Sequence, residues 1–235
     1  MPRNPPRNVS ALRRAKYALL SRLPGRRGLH YAWKLRTADA EATDAAFRAA
    51  VAGAAGKVCV DLGANLGVYT RLMAESAGKV YAFEPDPWTA ARLRENLADL
   101  SNVEVIEAAA GAADGTVALY REPRFDEDPE TRSESSSTLA AKRNVDAERA
   151  VEVAEVDFAR WLRDLGEEVA VLKIDIEGGE VALLERLLDS DALGRLGHVF
   201  VETHESRIPE LAARTAALRA RVAGIERPHF NLDWR

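Results

Sequence analysis

Residues 58–70 read VCVDLGANLGVYT, and this stretch decides the fold of the chain. Val58–Leu62 is too short for a helix, is rich in β-branched side chains and has no polar alternation, so we predict a strand buried on both faces of a parallel sheet. Gly63 and Gly67 follow, where the strand gives way to a helical pattern. Glycine adopts backbone angles that other residues resist, and its missing Cβ lets a ligand approach the unpaired amides of a helix N-terminus. The stretch therefore predicts a ligand-binding loop.

The spacing of the glycines and two nearby acids indicates which ligand binds. GANLG does not match the G-x-G-x-x-G dinucleotide loop, and no Lys-Ser/Thr pair of a P-loop follows it. Asp61 suits a cationic amino-acid group better than a pyrophosphate. Glu84 ends a second predicted strand, Lys79–Glu84, about twenty residues past the loop, where a carboxylate binds ribose hydroxyls. The two acids favour an aminoacyl nucleoside such as S-adenosylmethionine, and a glycine turn that serves only packing is the alternative.

Length and composition predict a single domain. A chain of 235 residues with 47% hydrophobic content can bury one core, so we expect one α/β domain with a short extension. Cys59 is the single cysteine and lies in the first predicted strand, which excludes an intramolecular disulfide and favours a reducing compartment. The sequence has no apolar run of about twenty residues and no signal-peptide core. We expect a cytoplasmic protein, or one attached peripherally at the inner face of the membrane.

The charge is distributed unevenly along the chain. Residues 1–38 contain ten Arg or Lys and no acid, so the rest carries about −14, which disfavours nucleic-acid binding. Val9–Leu23 has the pattern of a basic amphipathic helix that ends at Pro24-Gly25. A solvated helix or a homo-oligomer contact, attachment to a membrane surface or to a partner, and binding of an anionic polymer are the interpretations that remain open. Thr37–Ala52 is predicted as a separate helix.

The remaining pattern predicts alternating strands and helices. Helices at Tyr69–Ala77 and Pro87–Leu100 separate the first strands, and Val103–Ala109 is a third strand. This alternation requires a parallel sheet with right-handed crossovers, in which ligands bind at the carboxyl ends of the strands. Thr116–Tyr120 is a further strand. Residues 122–144 then break the pattern, and we expect a loop that forms a lid facing the substrate.

Polar residues follow two strands of the second half. Val169–Ile176 carries Lys173 and Asp175 on one side, and such charges on a buried strand are costly unless they are paired or functional. His198–Thr203 places Glu202 and His204 at its carboxyl end. We expect these residues at the same sheet edge as Asp61, Glu84 and Glu107.

The order of motifs resembles the FkbM family of S-adenosylmethionine-dependent O-methyltransferases. The resemblance extends over about residues 58–206 and rests on VDLGANLGVYT, FEPDP, NVEVIEAAAG, DGTVALY, LKIDIEGGE and VETHE. It implies an α/β fold with a Rossmann-like, seven-stranded, mostly parallel sheet and helices on both faces. It also implies methyl transfer to a hydroxyl of a sugar, a glycan or a natural product. Residues 1–36 would then form a basic helical extension, and residues 37–235 the methyltransferase domain.

The resemblance and the residue pattern together predict two sets of site residues. The cofactor set is Asp61, Gly63, Asn65, Gly67, Tyr69, Thr70, Glu84, Pro85, Glu107, Ala109 and Asp175. The catalytic set is His204, Asp175, Glu202 and Lys173. His204 is the first choice for a general base because its ordinary pKa suits proton removal at neutral pH, and Asp175 is the second. Lys173 is expected to neutralise Asp175 or Glu177, and we prefer this interpretation to a chemical role.

Three alternatives to this mechanism and function remain. Asp175, Glu202 and His204 could instead bind a divalent cation, Mg²⁺ or Mn²⁺, that lowers the pKa of the acceptor hydroxyl. An NAD-linked oxidoreductase would use the same sheet, although the dinucleotide loop is missing. A non-catalytic nucleotide-binding module on the same fold is the third, although Asp61 and Glu84 favour retained cofactor binding.

Overall fold

The central layer is a sheet of six parallel strands. The computed structural model describes residues 10–142, 144–146 and 148–234. Within these residues the strands are β1 (Val58–Leu62), β2 (Lys79–Phe83), β3 (Val103–Ile106), β4 (Ala109–Gly111), β5 (Gly115–Tyr120), β6 (Ala150–Asp157), β7 (Val169–Ile174), β8 (Leu196–Val201) and β9 (His229–Asn231). The strands of the central sheet follow the order β3-β2-β1-β7-β8-β9. This parallel order and the crossovers confirm the predicted Rossmann-like α/β class.

Helices cover both faces of this sheet. They are α1 (Ala11–Leu20), α2 (Gly25–Ala52), α3 (Val68–Ala74), α4 (Pro87–Asn96), α5 (Pro129–Arg132), α6 (Phe158–Leu165), α7 (Glu180–Leu188) and α8 (Ala212–Val222). On β1, Val60 and Leu62 pack with side chains of α6, α7 and α8, whereas Cys59 packs with side chains of α2 and α3. The strand alternation therefore buries both faces, as the apolar run at residues 58–62 predicts.

The main sheet has six strands rather than the seven that were expected. The predicted strand Val103–Ala109 is divided, because the chain turns after Ile106 and Ala109–Gly111 continues into a second sheet. There β6 pairs with β4 in parallel and with β5 in antiparallel orientation. Most of β5 is partly exposed, so it lacks the fully buried faces that a central strand requires.

The N-terminal part is continuous with the domain. Helix α2 runs from Gly25 to Ala52 without a break, whereas the sequence predicted a helix from Thr37, so the predicted boundary between residues 36 and 37 lies inside it. Phe47 of α2 is fully buried and contacts the rings of Phe200 and Trp234. Within the described residues, no helix is both long and apolar enough to span a membrane.

Candidate active site

A cleft of about 1180 Å³ opens at the carboxyl ends of β1, β2 and β7. It is lined mainly by the segments 63–66, 83–85, 108–112, 136–139 and 175–179. Gly63 has a φ of 76°, and a Cβ there would lie 1.9 Å from the carbonyl oxygen of Asp175. Any larger residue at position 63 would separate the loop from the β7 end. The glycine thus keeps the predicted ligand loop and Asp175 in direct contact.

Glu84 is the acid that the cleft presents after β2. One carboxylate oxygen accepts a hydrogen bond from the Asn65 amide at 2.9 Å, and the other accepts one from the Asp86 amide at 3.0 Å. Burial raises the pKa of Glu84 to about 7, although these two amide donors oppose the shift. Each oxygen keeps a further acceptor site. A pair of vicinal hydroxyls is therefore a fitting ligand for this carboxylate.

Asp61, in contrast, does not line the cleft. Its side chain is fully buried and lies 2.9 Å from Lys173 Nζ, and it accepts a hydrogen bond from the Thr70 hydroxyl at 2.7 Å. Asp61 and Lys173 are direct neighbours in the register of β1 and β7, on the face that packs against α2 and α3. Lys173 Nζ also donates to the Gly63 carbonyl at 2.8 Å. The pair holds the ligand loop from beneath. The sequence predicted Asp175 or Glu177 as the acid that Lys173 neutralises, whereas its nearest carboxylate is Asp61 and Asp175 Oδ2 lies 4.0 Å away.

The other predicted cofactor residues occupy different places. Asn65, Tyr69, Pro85 and Ala109 line the cleft, whereas Thr70 is buried beneath it with Asp61. Gly67 directly precedes α3 and has a φ of 91°. A Cβ there would lie 2.8 Å from Leu93, so the glycine is needed for the turn into the helix. Glu107 points away from the cleft and pairs with Arg94 at 2.7 Å.

Asp175 carries a carboxylate that lines the cleft at the end of β7. It follows β7, its side chain is 22% exposed, and its Oδ1 accepts no hydrogen bond from any group in the described residues. Burial and the charge of Glu202 raise the pKa of Asp175, and the charge of Lys173 opposes them. The resulting pKa is about 7. A carboxylate of this kind can exchange a proton near neutral pH.

His204 is engaged on both sides of its ring. Nδ1 lies 2.9 Å from Glu180 Oε1, and Nε2 lies 3.1 Å from Glu177 Oε2. Burial alone would lower the pKa of His204, but the two glutamates outweigh it and raise the pKa well above its ordinary value. The two carboxylates therefore favour the imidazolium form of the ring, with both nitrogens protonated. This arrangement differs from that of a general base, which needs an unprotonated nitrogen facing the substrate.

The predicted trio of metal ligands has a different membership in the structure. Asp175, Glu180 and His204 bring ligand atoms within 4.8 Å of one another, whereas Glu202 lies 4.0 Å from His204 Nε2 and lines the cleft. Glu180 Oε1 already accepts the amides of Ile176 and Gly178. A protonated imidazole has no lone pair for a metal. The cluster as it stands is an ion-pair network.

Glu180 and Lys142 are residues that sequence reasoning missed, and Glu177 was expected only as a possible partner of Lys173. Lys142 has a fully buried ammonium group 2.8 Å from Glu177, and burial lowers its pKa despite that partner. Burial would raise the pKa of Glu177, but His204, Lys142 and Arg207 together lower it to about 2. Glu177 and Glu180 are the two acids of the segment I-E-G-G-E, which leads into a predicted helix. A carboxylate beside a helix start commonly caps free amides, so this pattern could have indicated them.

The segment 122–144 lies against the cleft. Its described part contains α5 and two short 3-10 turns, Phe125–Glu127 and Ser133–Ser135. The Ser133 hydroxyl donates to Asn65 Oδ1 at 2.9 Å, and the Ser137 hydroxyl donates to the Glu177 carbonyl at 2.6 Å. The segment therefore forms one wall of the cleft. That it opens and closes as a lid stays a prediction.

The charge of His204 gives a pH-dependent prediction. We expect its imidazole to keep its charge at a pH where an ordinary histidine has lost it, whereas His198, whose pKa is lowered by burial and by His229 and Arg227, should lose its charge at lower pH. Because the folded pKa exceeds the unfolded one, the stabilisation is complete below about pH 6.5 and is lost as the pH rises through the folded pKa. NMR titration of ring-labelled protein measures both histidines. A midpoint near 6.5 for His204 would contradict the imidazolium assignment.

The same linkage is measurable as stability. The difference in free energy of unfolding between the wild type and His204→Gln should be largest at about pH 6 and should shrink towards alkaline pH. Urea unfolding at a series of pH values tests this. A difference that grows with pH would mean that the histidine is neutral in the folded protein.

The fold and the cleft define a Rossmann-like cofactor-binding class, and comparison with known proteins specifies the family. The model of the methyltransferase FkbM domain matches residues 61–224, well over half of the chain. The chain belongs to the FkbM methyltransferase family. This confirms the resemblance drawn from the motifs.

The individual proteins that resemble this chain either match a short segment of it or share low sequence identity with it. An uncharacterized protein of Methanothermobacter thermautotrophicus is 44% identical over 62 residues, which cover 26% of this chain and 25% of that protein. A methyltransferase FkbM from Methylobacillus flagellatus is 17% identical with a TM-score of 0.45, covering 88% of this chain and 52% of that one. A putative methyltransferase from Streptococcus mutans in complex with SAH is 12% identical with a TM-score of 0.42, covering 80% and 84%.

Proposed function

We propose that this chain is an S-adenosylmethionine-dependent O-methyltransferase that acts on an uncharged hydroxyl acceptor such as a sugar, a glycan or a glycosylated natural product. The observation that carries the proposal is the Asp175 carboxylate, which lines the cleft beside Gly63 and keeps 22% of its side chain exposed. An amine acceptor needs less help with its proton than a hydroxyl does. A carboxylate poised to take a proton therefore supports a hydroxyl acceptor.

The cleft fits the cofactor at its ribose end. Glu84 presents two oxygens with acceptor sites to spare, and Gly63 leaves its backbone open to close approach. Pro85 and Ala109 provide apolar wall on either side of Glu84. When bound, S-adenosylmethionine supplies an electrophilic methyl group. The residues of this chain have to bind it, align the acceptor and remove the acceptor proton.

Asp175 is the residue that we assign to proton removal. Its raised pKa, about 7, leaves a substantial ionised fraction at neutral pH and a useful affinity for the hydroxyl proton. In this mechanism bound S-adenosylmethionine would supply the methyl group, and the Asp175 carboxylate would take the proton of the acceptor hydroxyl. His204 Nε2 lies 3.7 Å from Asp175 Oδ1 and places a positive charge beside the carboxylate. His204 thus acts through Asp175 and is a positioning residue in this mechanism.

The charge of the cleft supports an uncharged acceptor. Among the described residues, seven acids line it, namely Glu84, Glu130, Glu134, Glu155, Asp175, Glu177 and Glu202. The cations that line it are Lys173 and Arg214, which pair with Asp61 and Glu185. Such a cleft disfavours an acceptor that carries phosphate groups. Screening neutral sugars beside their phosphorylated counterparts for methyl transfer tests this, and preference for the phosphorylated form would contradict it.

A cation-assisted mechanism remains the second candidate because Asp175, Glu180 and His204 are close enough to share an ion. It requires His204 to lose a proton and Glu180 to give up hydrogen bonds, so we place it second. Turnover in the presence of a chelator separates the two. Activity that disappears on chelation and returns with Mg²⁺ or Mn²⁺ would favour the metal.

Glu84→Gln tests the cofactor assignment directly. We expect the affinity for S-adenosylhomocysteine to fall by about 1.5–3 kcal/mol, because the charge-assisted hydrogen bonds to the ribose are lost. Glu134→Gln is the matched control, since Glu134 is an exposed acid at the rim of the same cleft. Calorimetry measures both variants.

The pH dependence adds a second readout. The wild type should bind S-adenosylhomocysteine more weakly as the pH falls through about 7, where Glu84 becomes protonated, and Glu84→Gln should lack this dependence. Equal affinity of Glu84→Gln and the wild type would remove Glu84 from the cofactor site.

A further inference from the structure

The outer face of the N-terminal helical hairpin is an exposed surface that the methyl-transfer site does not use. Leu12, Lys16 and Leu19 of α1 follow one another at helical spacing and so share one side of the helix. Leu12 is 87% exposed and Leu19 is 67% exposed, and Leu23, just after the helix, is also exposed. Three exposed leucines in so short a segment are unusual for a surface helix that contacts only water.

The inner side of α1 is accounted for by packing. The Tyr17 ring lies 6.0 Å from the Tyr31 ring of α2, and Lys34 Nζ lies over both rings. Gly28 permits the tight turn between the helices, because a Cβ there would lie 1.8 Å from the Leu23 carbonyl oxygen. The hairpin is therefore anchored through the tyrosines, and the leucines point away from that contact.

Basic side chains surround the leucines. Arg13, Lys16, Arg22, Arg26 and Arg27 are exposed, and Arg14 pairs with Asp39 at 2.8 Å. Residues 1–38 contain no acid, whereas the rest of the chain carries about −14. The surface thus combines apolar side chains with strong positive charge. We call the exposed surface formed by Leu12, Leu19, Leu23 and these five basic residues the hairpin face.

We propose that the hairpin face docks on an anionic phospholipid surface. Leucines that enter the headgroup boundary and basic side chains that contact lipid phosphates account for both features at once. The same face on a second copy of the chain would bring like charges together, which disfavours a symmetric dimer. A nucleic acid would satisfy the charges and leave the leucines exposed. The acidic body would be repelled by the lipid, so the hairpin would be the single point of attachment.

Co-sedimentation of the full chain with vesicles tests the proposal. We expect binding to phosphatidylcholine vesicles that contain phosphatidylglycerol, no binding to pure phosphatidylcholine, and weaker binding as salt rises from about 0.1 M to about 0.5 M. The double variant Leu12→Ser, Leu19→Ser should reduce the vesicle-bound to free ratio about tenfold or more. Arg13→Glu with Lys16→Glu should reduce it by a similar factor.

Lys57→Glu is the matched charge control, because Lys57 is exposed at the start of β1, at the opposite end of the sheet from the cleft. It should bind vesicles nearly as well as the wild type. All variants should bind S-adenosylhomocysteine as the wild type does, which separates this proposal from the function of the cleft.

Several results would overturn the docking proposal. Absence of binding to anionic vesicles would do so, as would unchanged binding of the leucine variant, which would leave only general electrostatics. An equal loss in Lys57→Glu would show that the hairpin face is not special. A dimer in sedimentation velocity that disappears in the leucine variant, without vesicle binding, would assign the face to a second copy of the chain.

Discussion

Asp175→Asn is expected to lower turnover by a factor on the order of 10²–10⁴, the share that a positioned general base contributes. The asparagine keeps the size of the side chain and loses its capacity to accept the acceptor proton. The affinity for S-adenosylhomocysteine should change little, because Asp175 meets the ligand loop through its backbone at Gly63. Methyl transfer to a neutral sugar acceptor found by screening measures turnover, and calorimetry measures the affinity.

The pH profile shows whether the lost group is the base. In the wild type, kcat/KM should rise with pH through about 7 as Asp175 ionises, and this limb should be missing from the residual activity of Asp175→Asn. Glu155→Gln is the control for a change of charge in the same cleft, at an acid on the wall formed by β6. Full activity of Asp175→Asn, with an inactive and well-folded His204→Gln, would return the role of base to the histidine.

Lys173→Met is expected to destabilise the fold by about 3–5 kcal/mol, because it leaves the Asp61 carboxylate buried with no cationic partner. The remaining hydrogen bond from Thr70 does not replace the lost charge. Urea unfolding measures the loss.

Two controls define this effect. Arg48→Ala removes the exposed ion pair with Asp44 and should change the stability by less than about 1 kcal/mol. The double variant Lys173→Met, Asp61→Leu should recover part of the loss, because it removes the unpaired charge and not only its partner. A double variant no more stable than Lys173→Met alone would mean that the loss came from packing.

The sequence alone was sufficient to predict most of the local elements and their layering, although the start of α2 and the division of the strand Val103–Ala109 were not predicted. The apolar run at residues 58–62 requires a strand with both faces covered, and Gly63 and Gly67 require a turn of unusual backbone geometry. Parallel alternation then brings the carboxyl ends of the strands to one edge, so that Glu84 and Asp175 were correctly expected there. These conclusions depend on spacing within short segments, which a linear sequence contains.

The relative placement of side chains from distant segments was decided only by tertiary structure. Lys173 meets Asp61 because the register of β7 against β1 sets them side by side, and that register depends on packing between strands more than one hundred residues apart. His204 is charged because Glu177 and Glu180 enclose its ring, and no pattern around residue 204 contains those partners. A pKa depends on the charges and burial around a group. The sequence could therefore nominate His204 and Asp175 as proton carriers, and only the folded arrangement could distinguish between them.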